Sequence, residues 1–221
     1  MKLSKLQMIA LLLGCLVLGG GAALLWRVVT APPPAVPALP PAQPPPPLRV
    51  FPAPQAPTSN GLEYHCDREK RRVYAVKMAT GEIAWESYGE SGWIVPGAAF
   101  MLDMSPEGDL WVLNPGRRRL EQLNPATGDY IASWEPQEPL PGCCNPVRFA
   151  ALSGGRFLTM EKGRRQARLY APSGEVLNVL VADLSASEHN YVLIHSEDRV
   201  YMSDLQPLNG RVRQWEINVH D

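Results

Sequence analysis

Short runs in which apolar and polar residues alternate recur from about residue 61 to residue 217, separated by turn-forming residues. Leu62-Glu63-Tyr64-His65-Cys66 is the first, followed by Arg72–Val76 and Ile83–Ser87. The next set is Phe100–Asp103, Asp109–Leu113 and Arg119–Leu123, and a third is Val147–Ala150, Arg156–Met160 and Gln166–Tyr170. Alternation with period two predicts half-buried strands, and no segment carries a helical period. The sets also repeat. Thr80-Gly81-Glu82, Thr127-Gly128-Asp129 and Ser173-Gly174-Glu175 lie 47 and 46 residues apart, and the strand starting at Arg72 recurs at Arg119, Gln166 and Arg211. A fourth, shorter unit holds Tyr191–Ile194, Arg199–Met202 and Val212–Trp215. A period of this length marks blades or another repeat array. The expected fold is all-β: a small or incomplete β-propeller of about four blades.

The first sixty residues have a different pattern. Lys2 and Lys5 precede an uncharged run from Leu6 to Trp26, which as a helix would extend ~31 Å, about one hydrocarbon core. The lysines favour a cytoplasmic N-terminus and place the remainder outside. Residues 1–30 therefore read as a transmembrane anchor. A cleaved signal peptide ending at Val29-Thr30-Ala31 and a lipoprotein signal at Cys15 are the alternatives. Residues 31–60 read as a linker: thirteen prolines fall between Ala31 and Pro57, so extended polyproline forms dominate and serve as a stiff spacer. Leu48-Arg49-Val50-Phe51 interrupts it with β-prone residues that would add a strand to the folded domain, 61–221.

Charge narrows the range of roles. Lys and Arg number 21 against 22 Asp and Glu, a formal charge of −1, so no nucleic-acid partner is expected. Basic clusters at Arg68–Arg72, Arg117–Arg119 and Arg164-Arg165 coincide with expected turns and read as solvated tips.

The order strand, Asp/Gly turn, strand, basic turn, strand, Thr-Gly-Glu-like turn resembles the NHL-repeat β-propellers. Gly142-Cys143-Cys144-Asn145-Pro146, followed by Ala150, Gly155-Arg156, Thr159, Glu161-Lys162-Gly163, Leu169-Tyr170 and Ser173-Gly174, resembles the Gly-Cys-Cys-Asn-Pro blade of a set of bacterial, often exported, NHL-like proteins. Such propellers usually have six blades. The resemblance implies either a four-bladed ring or an incomplete one, with Leu48–Phe51 completing the last blade. Some NHL-like propellers are lyases with histidines from several blades around a zinc. His65 and His195 lie in non-equivalent strands, and His189 and His220 share no spacing with them, so that pattern is not met.

Cysteine carries the most specific candidate chemistry. On the exported side disulfides persist, and Cys66, Cys143 and Cys144 allow a bond from Cys66 to either neighbour, a strained vicinal bond, or free thiols. Metal ligation is disfavoured because the adjacent pair lacks C-x-x-C spacing. Asp103 and Glu161 line a turn or the channel; no catalytic residue, metal site or cofactor is assigned. Trp85, Trp111, Trp134 and Trp215 are expected to fill space between blades. Trp93 and Leu140, in long connections, are either an apolar anchor for a partner or loop residues tucked onto a blade edge. Asn145 and Pro146 join them as candidate partner-binding residues. The expected role is an accessory or scaffold subunit that docks on an exported partner or an inner-membrane complex, for which the cysteine pair of the resemblance suggests a redox or respiratory setting. The alternatives are a thiol-redox or metal-dependent enzyme centred on Cys143/Cys144, and a small-ligand or glycan sensor.

Overall fold

The computed structural model describes residues 56–185, 191–196, 199–208 and 211–218. The apolar run 6–26, nearly all of the proline-rich segment, Leu48–Phe51, His189 and His220 lie outside them. Among the described residues no helix is long and apolar enough to cross a membrane.

Fifteen strands form four antiparallel sheets, the blades of a four-bladed β-propeller. The first blade contains β1 (Thr58–Ser59), β2 (Leu62–Asp67), β3 (Arg72–Lys77) and β4 (Ile83–Ser87). The second contains β5 (Leu102–Met104), β6 (Leu110–Asn114), β7 (Arg119–Leu123) and β8 (Tyr130–Trp134). The third contains β9 (Arg148–Leu152), β10 (Arg156–Glu161), β11 (Gln166–Tyr170) and β12 (Val176–Val181). The fourth has three described strands, β13 (Tyr191–Ser196), β14 (Arg199–Leu208) and β15 (Arg211–Asn218). Each is a meander in chain order; β2 adjoins β5, and the first strands of the later blades adjoin in turn, β5 to β9 and β9 to β13. β1 falls inside the stretch assigned from sequence to the linker; two residues are too few to show an alternation.

The registers repeat as faithfully as the sequence. Glu63, His65 and Asp67 face Val76, Tyr74 and Arg72 across the first hairpin. In the second blade Leu110, Val112 and Asn114 face Leu123, Glu121 and Arg119. In the third Phe157, Thr159 and Glu161 face Tyr170, Arg168 and Gln166. Blades stack through apolar faces. Tyr64, Val73, Ala75 and Trp85 meet Phe100, Leu110, Val112 and Leu123 in one cluster. Leu113, Leu120 and Trp134 meet Phe157 and Tyr170 in another, which continues through Leu158 and Met160 to Tyr191, Val200 and Met202. The expected tryptophans are at these seams: Trp134 lies 4.5 Å from Phe157 and Trp111 4.8 Å from it, edge-on, contacts worth about 0.5–1.5 kcal/mol each beyond area burial.

Two faces break the rule. The first-blade counterparts of Leu110, Val112 and Leu123 are Glu63, His65 and Val76, all half-buried rather than buried. The fourth-blade counterparts of Leu158 and Met160 are Tyr201 and Ser203, opposite Glu216 and Gln214. The array therefore begins on a polar face, as terminal repeats commonly do.

Candidate functional site

In a meander, alternate turns lie at one end. The β2–β3, β6–β7 and β10–β11 turns therefore share a rim with the connections 88–101 and 135–147 and with 182–185. This rim gathers Trp93, Leu140, Cys143, Cys144, Asn145, Pro146 and the basic clusters.

Each connection docks on the turn of the blade that follows. Asn114, fully buried at the end of β6, accepts the Ile94 N–H at 3.2 Å, and the Gly116 N–H donates to the Ile94 carbonyl at 2.8 Å. A Cβ on Gly116 would lie 2.2 Å from the Ile94 side chain, so the close approach requires glycine. One repeat later the same fit recurs with the donor reversed in origin. Asn145, on the connection and fully buried, accepts the Lys162 N–H at 3.0 Å and donates to the Pro141 carbonyl at 2.9 Å. Gly163 allows the contact, since a Cβ there would meet the Pro141 carbonyl oxygen at 2.3 Å. In the fourth blade Asp204 accepts the Ser185 N–H at 2.7 Å.

Arginines hold the connections from both sides. Arg117 and Arg164 reach to the Ser91 and Pro139 carbonyls of the preceding connection at 3.0 Å each. Their neighbours Arg118 and Arg165, left-handed at φ 58° and 56°, donate to the Leu140 and Leu184 carbonyls of the following one. The connections answer with acids: Glu90 pairs with Arg119, Glu138 with Arg164 and Arg168, and Asp183 with Arg213. Three carboxylates are fully buried beneath. Glu121 takes hydrogen bonds from Asn114, Arg119 and the Glu90 N–H. Glu161 takes them from Arg164, Thr159 and Tyr170, and Asp204 from Arg213 and Ser185. Buried charge is tolerated when it is paired and saturated in this way. Burial and the neighbouring Glu161 carboxylate push the Tyr170 phenol well above its ordinary range.

The sequence-derived candidates meet on this rim in a structural capacity. Trp93 and Leu140 are 3% and 2% exposed, so of the two readings they take the tucked one; Trp93 donates its indole N–H to the Ser87 carbonyl at 3.1 Å. Asn145 and Pro146 are also buried, joined by a cis peptide bond. Of the alternatives open to the cysteines, no disulfide links Cys66, Cys143 and Cys144 among the described residues. Cys66 faces the seam between the first two blades, where burial raises its thiol far above the usual range. Cys143 is exposed on the rim, while Cys144, at φ 55°, turns inward to the neighbourhood of Gly97. Adjacent in sequence, the two point to different environments. Among the described residues no group of three or more His, Cys, Asp or Glu side chains could hold a metal ion.

Periodicity in the sequence marks the turns but not what they grip. The signal available was the recurrence of Asp67, Asn114 and Glu161 at 47-residue intervals just before each basic turn.

The first blade lacks this dressing. Its polar face carries Arg72 over the Tyr74 ring at 4.9 Å and His65 stacked on the same ring at 5.1 Å. Glu63 lies 3.5 Å from His65, and Arg72 binds Asp67 and Glu86. The backbone N–H of Lys70 and then Arg72 hold the Asp67 carboxyl below its ordinary range.

No family model and no curated protein matches the chain. Solved structures similar to it include virginiamycin B lyase from Staphylococcus aureus, 13% identical with a TM-score of 0.44 over 74% of this chain and 54% of that one. A streptogramin B lyase is 12% identical with a TM-score of 0.42, over 64% and 44%. YCF48 bound to D1 peptide is 14% identical with a TM-score of 0.38, over 66% and 44%. The chain spans about half the length of these proteins, and at such identities the likeness concerns architecture alone.

Proposed function

We propose that this chain is a protein-interaction module: an NHL-like β-propeller carried on a proline-rich spacer and a single membrane anchor, acting as an accessory subunit of an exported or inner-membrane complex. The observation that carries the reading is the polar face of the first blade. Where the second and third blades present Leu110, Val112 and Leu123, or Phe157 and Tyr170, to a neighbouring blade, the first presents Glu63, His65, Tyr74, Arg72 and Glu86. A stacked aromatic flanked by an arginine and carboxylates is the composition of an interface rather than of a blade seam. In this reading the two N-terminal lysines leave the propeller on the periplasmic side, with the spacer letting it reach partners away from the bilayer.

The test is affinity capture of the full-length protein from membranes in mild detergent, with mass spectrometry of what accompanies it. A stoichiometric partner retained by the native chain and lost by His65→Glu/Tyr74→Ala is the expected result. A native chain that elutes alone, at its own mass, would sink the interaction reading.

A further inference from the structure

In the second and third blades the rim turn holds a length of polypeptide, and in the first, among the described residues, it does not. Arg68, Glu69, Lys70 and Arg71 are all exposed. Among the described residues, the side chains of Arg68, Lys70 and Arg71 make no hydrogen bond or ion pair, although the counterparts of Lys70 (Arg117 and Arg164) and of Arg71 (Arg118 and Arg165) all do. The backbone is nevertheless set for the same grip, with Arg71 left-handed at φ 50° beside 58° and 56° for Arg118 and Arg165.

We propose that the Arg68–Arg71 turn is a docking site for an extended acidic segment of a partner protein, which occupies the place that connections take on the other blades. This rests on the interaction reading above and specifies its surface. The three connections define what the slot accepts. Each offers backbone carbonyls to the turn, and each carries a carboxylate one to three residues before a buried apolar side chain: Glu90 before Trp93, Glu138 before Leu140, Asp183 before Leu184. Glu138 pairs with Arg164, the counterpart of Lys70, while Glu90 and Asp183 pair with Arg119 and Arg213, which stand where Arg72 closes the first turn. The chain preceding the first blade cannot supply such a segment, because it has no Asp or Glu before Glu63. Three cations against the single Glu69 leave the turn tip positive, complementary to an acidic ligand and dependent on ionic strength.

The probe is a fluorescent peptide copying Pro136–Gly142 of this chain, titrated by anisotropy onto the full-length protein in detergent. Binding that weakens at least about tenfold in Arg68→Glu/Lys70→Glu/Arg71→Glu, and on Glu138→Gln in the peptide, is expected from three exposed charge contacts. Circular dichroism of the triple variant matching the native spectrum shows that the blade is intact. Equal binding by native and triple-variant protein would overturn the proposal, as would no peptide binding together with capture by phosphatidylglycerol vesicles, which would assign the turn to lipid headgroups. A captured partner that the triple variant keeps in full overturns this site while leaving the interaction reading standing. Peptide binding without any captured partner does the reverse.

Discussion

The Asp103 carboxylate reaches out of β5 to accept the backbone N–H of Ala151, on β9 of the next blade, at 2.8 Å. One side chain thus ties two innermost strands together. Burial lifts its carboxyl from 3.8 to about 7, although the Ala151 and Met104 N–H groups oppose the shift. Because the folded value is raised, the native state holds a proton that the unfolded chain has lost, and folding stability falls as pH rises from about 4 to about 7. Asp103→Asn keeps an acceptor and removes the charge. Urea midpoints measured across that window should decline for the native chain and flatten for the variant. An unchanged slope in the variant would place the pH dependence elsewhere.

Glu161, buried like Glu121 and Asp204, accepts from Arg164 at 2.9 Å and from Tyr170 at 2.5 Å. Glu161→Ala strands the arginine and the phenol and should cost about 3–5 kcal/mol. Tyr170→Phe removes one donor from a carboxylate that keeps two others, and should cost about 1–3 kcal/mol. Chemical denaturation separates the two; equal losses would mean that packing rather than charge governs this seam.

Much of this architecture is legible before any coordinates. Alternation in Leu62–Cys66 and Arg72–Val76 gives the hairpin faces, the three recurring Thr-Gly-Glu-like turns mark three blades, and the strands from Tyr191 to Trp215 supply the fourth. Trp93 and Leu140 are ambiguous in the sequence because a loop residue has no periodicity of its own; the burial of Trp93 is decided by contacts such as Phe100 and the Ser87 carbonyl. The cysteines were similarly undetermined. Whether Cys143 and Cys144 can bond each other depends on the backbone angle at Cys144 and on the Asn145 clamp, neither of which composition encodes. The polar face of the first blade, by contrast, was readable: aligning Glu63 and His65 with Leu110 and Val112 exposes it.

The glycine at 163 should prove as necessary as the asparagine it faces. Gly163→Ala puts a methyl into the Pro141 carbonyl and should destabilise by about 1–3 kcal/mol. Hydrogen exchange should show the loss concentrated in residues 141–147. Uniform loss of protection across all four blades would contradict so local a role.

Thiol chemistry should rank the cysteines by environment. In the folded chain Cys143 alkylates first, whereas Cys66 and Cys144 resist until denaturant is added. Time-resolved labelling with peptide mapping checks the order. Equal rates for Cys143 and Cys144 would show that the loop opens readily.

The forward docking of each connection has a bearing on how the molecule is made. Ile94 and Asn145 belong to stretches synthesised before the turns at Asn114–Gly116 and Lys162–Gly163 that they hold. A chain leaving the ribosome N-terminus first presents each clasp ahead of the blade it will close upon, and domains generally fold in that order. Assembly is thereby given a direction, one blade templating the next, with the first turn left ungripped at the point where the series starts.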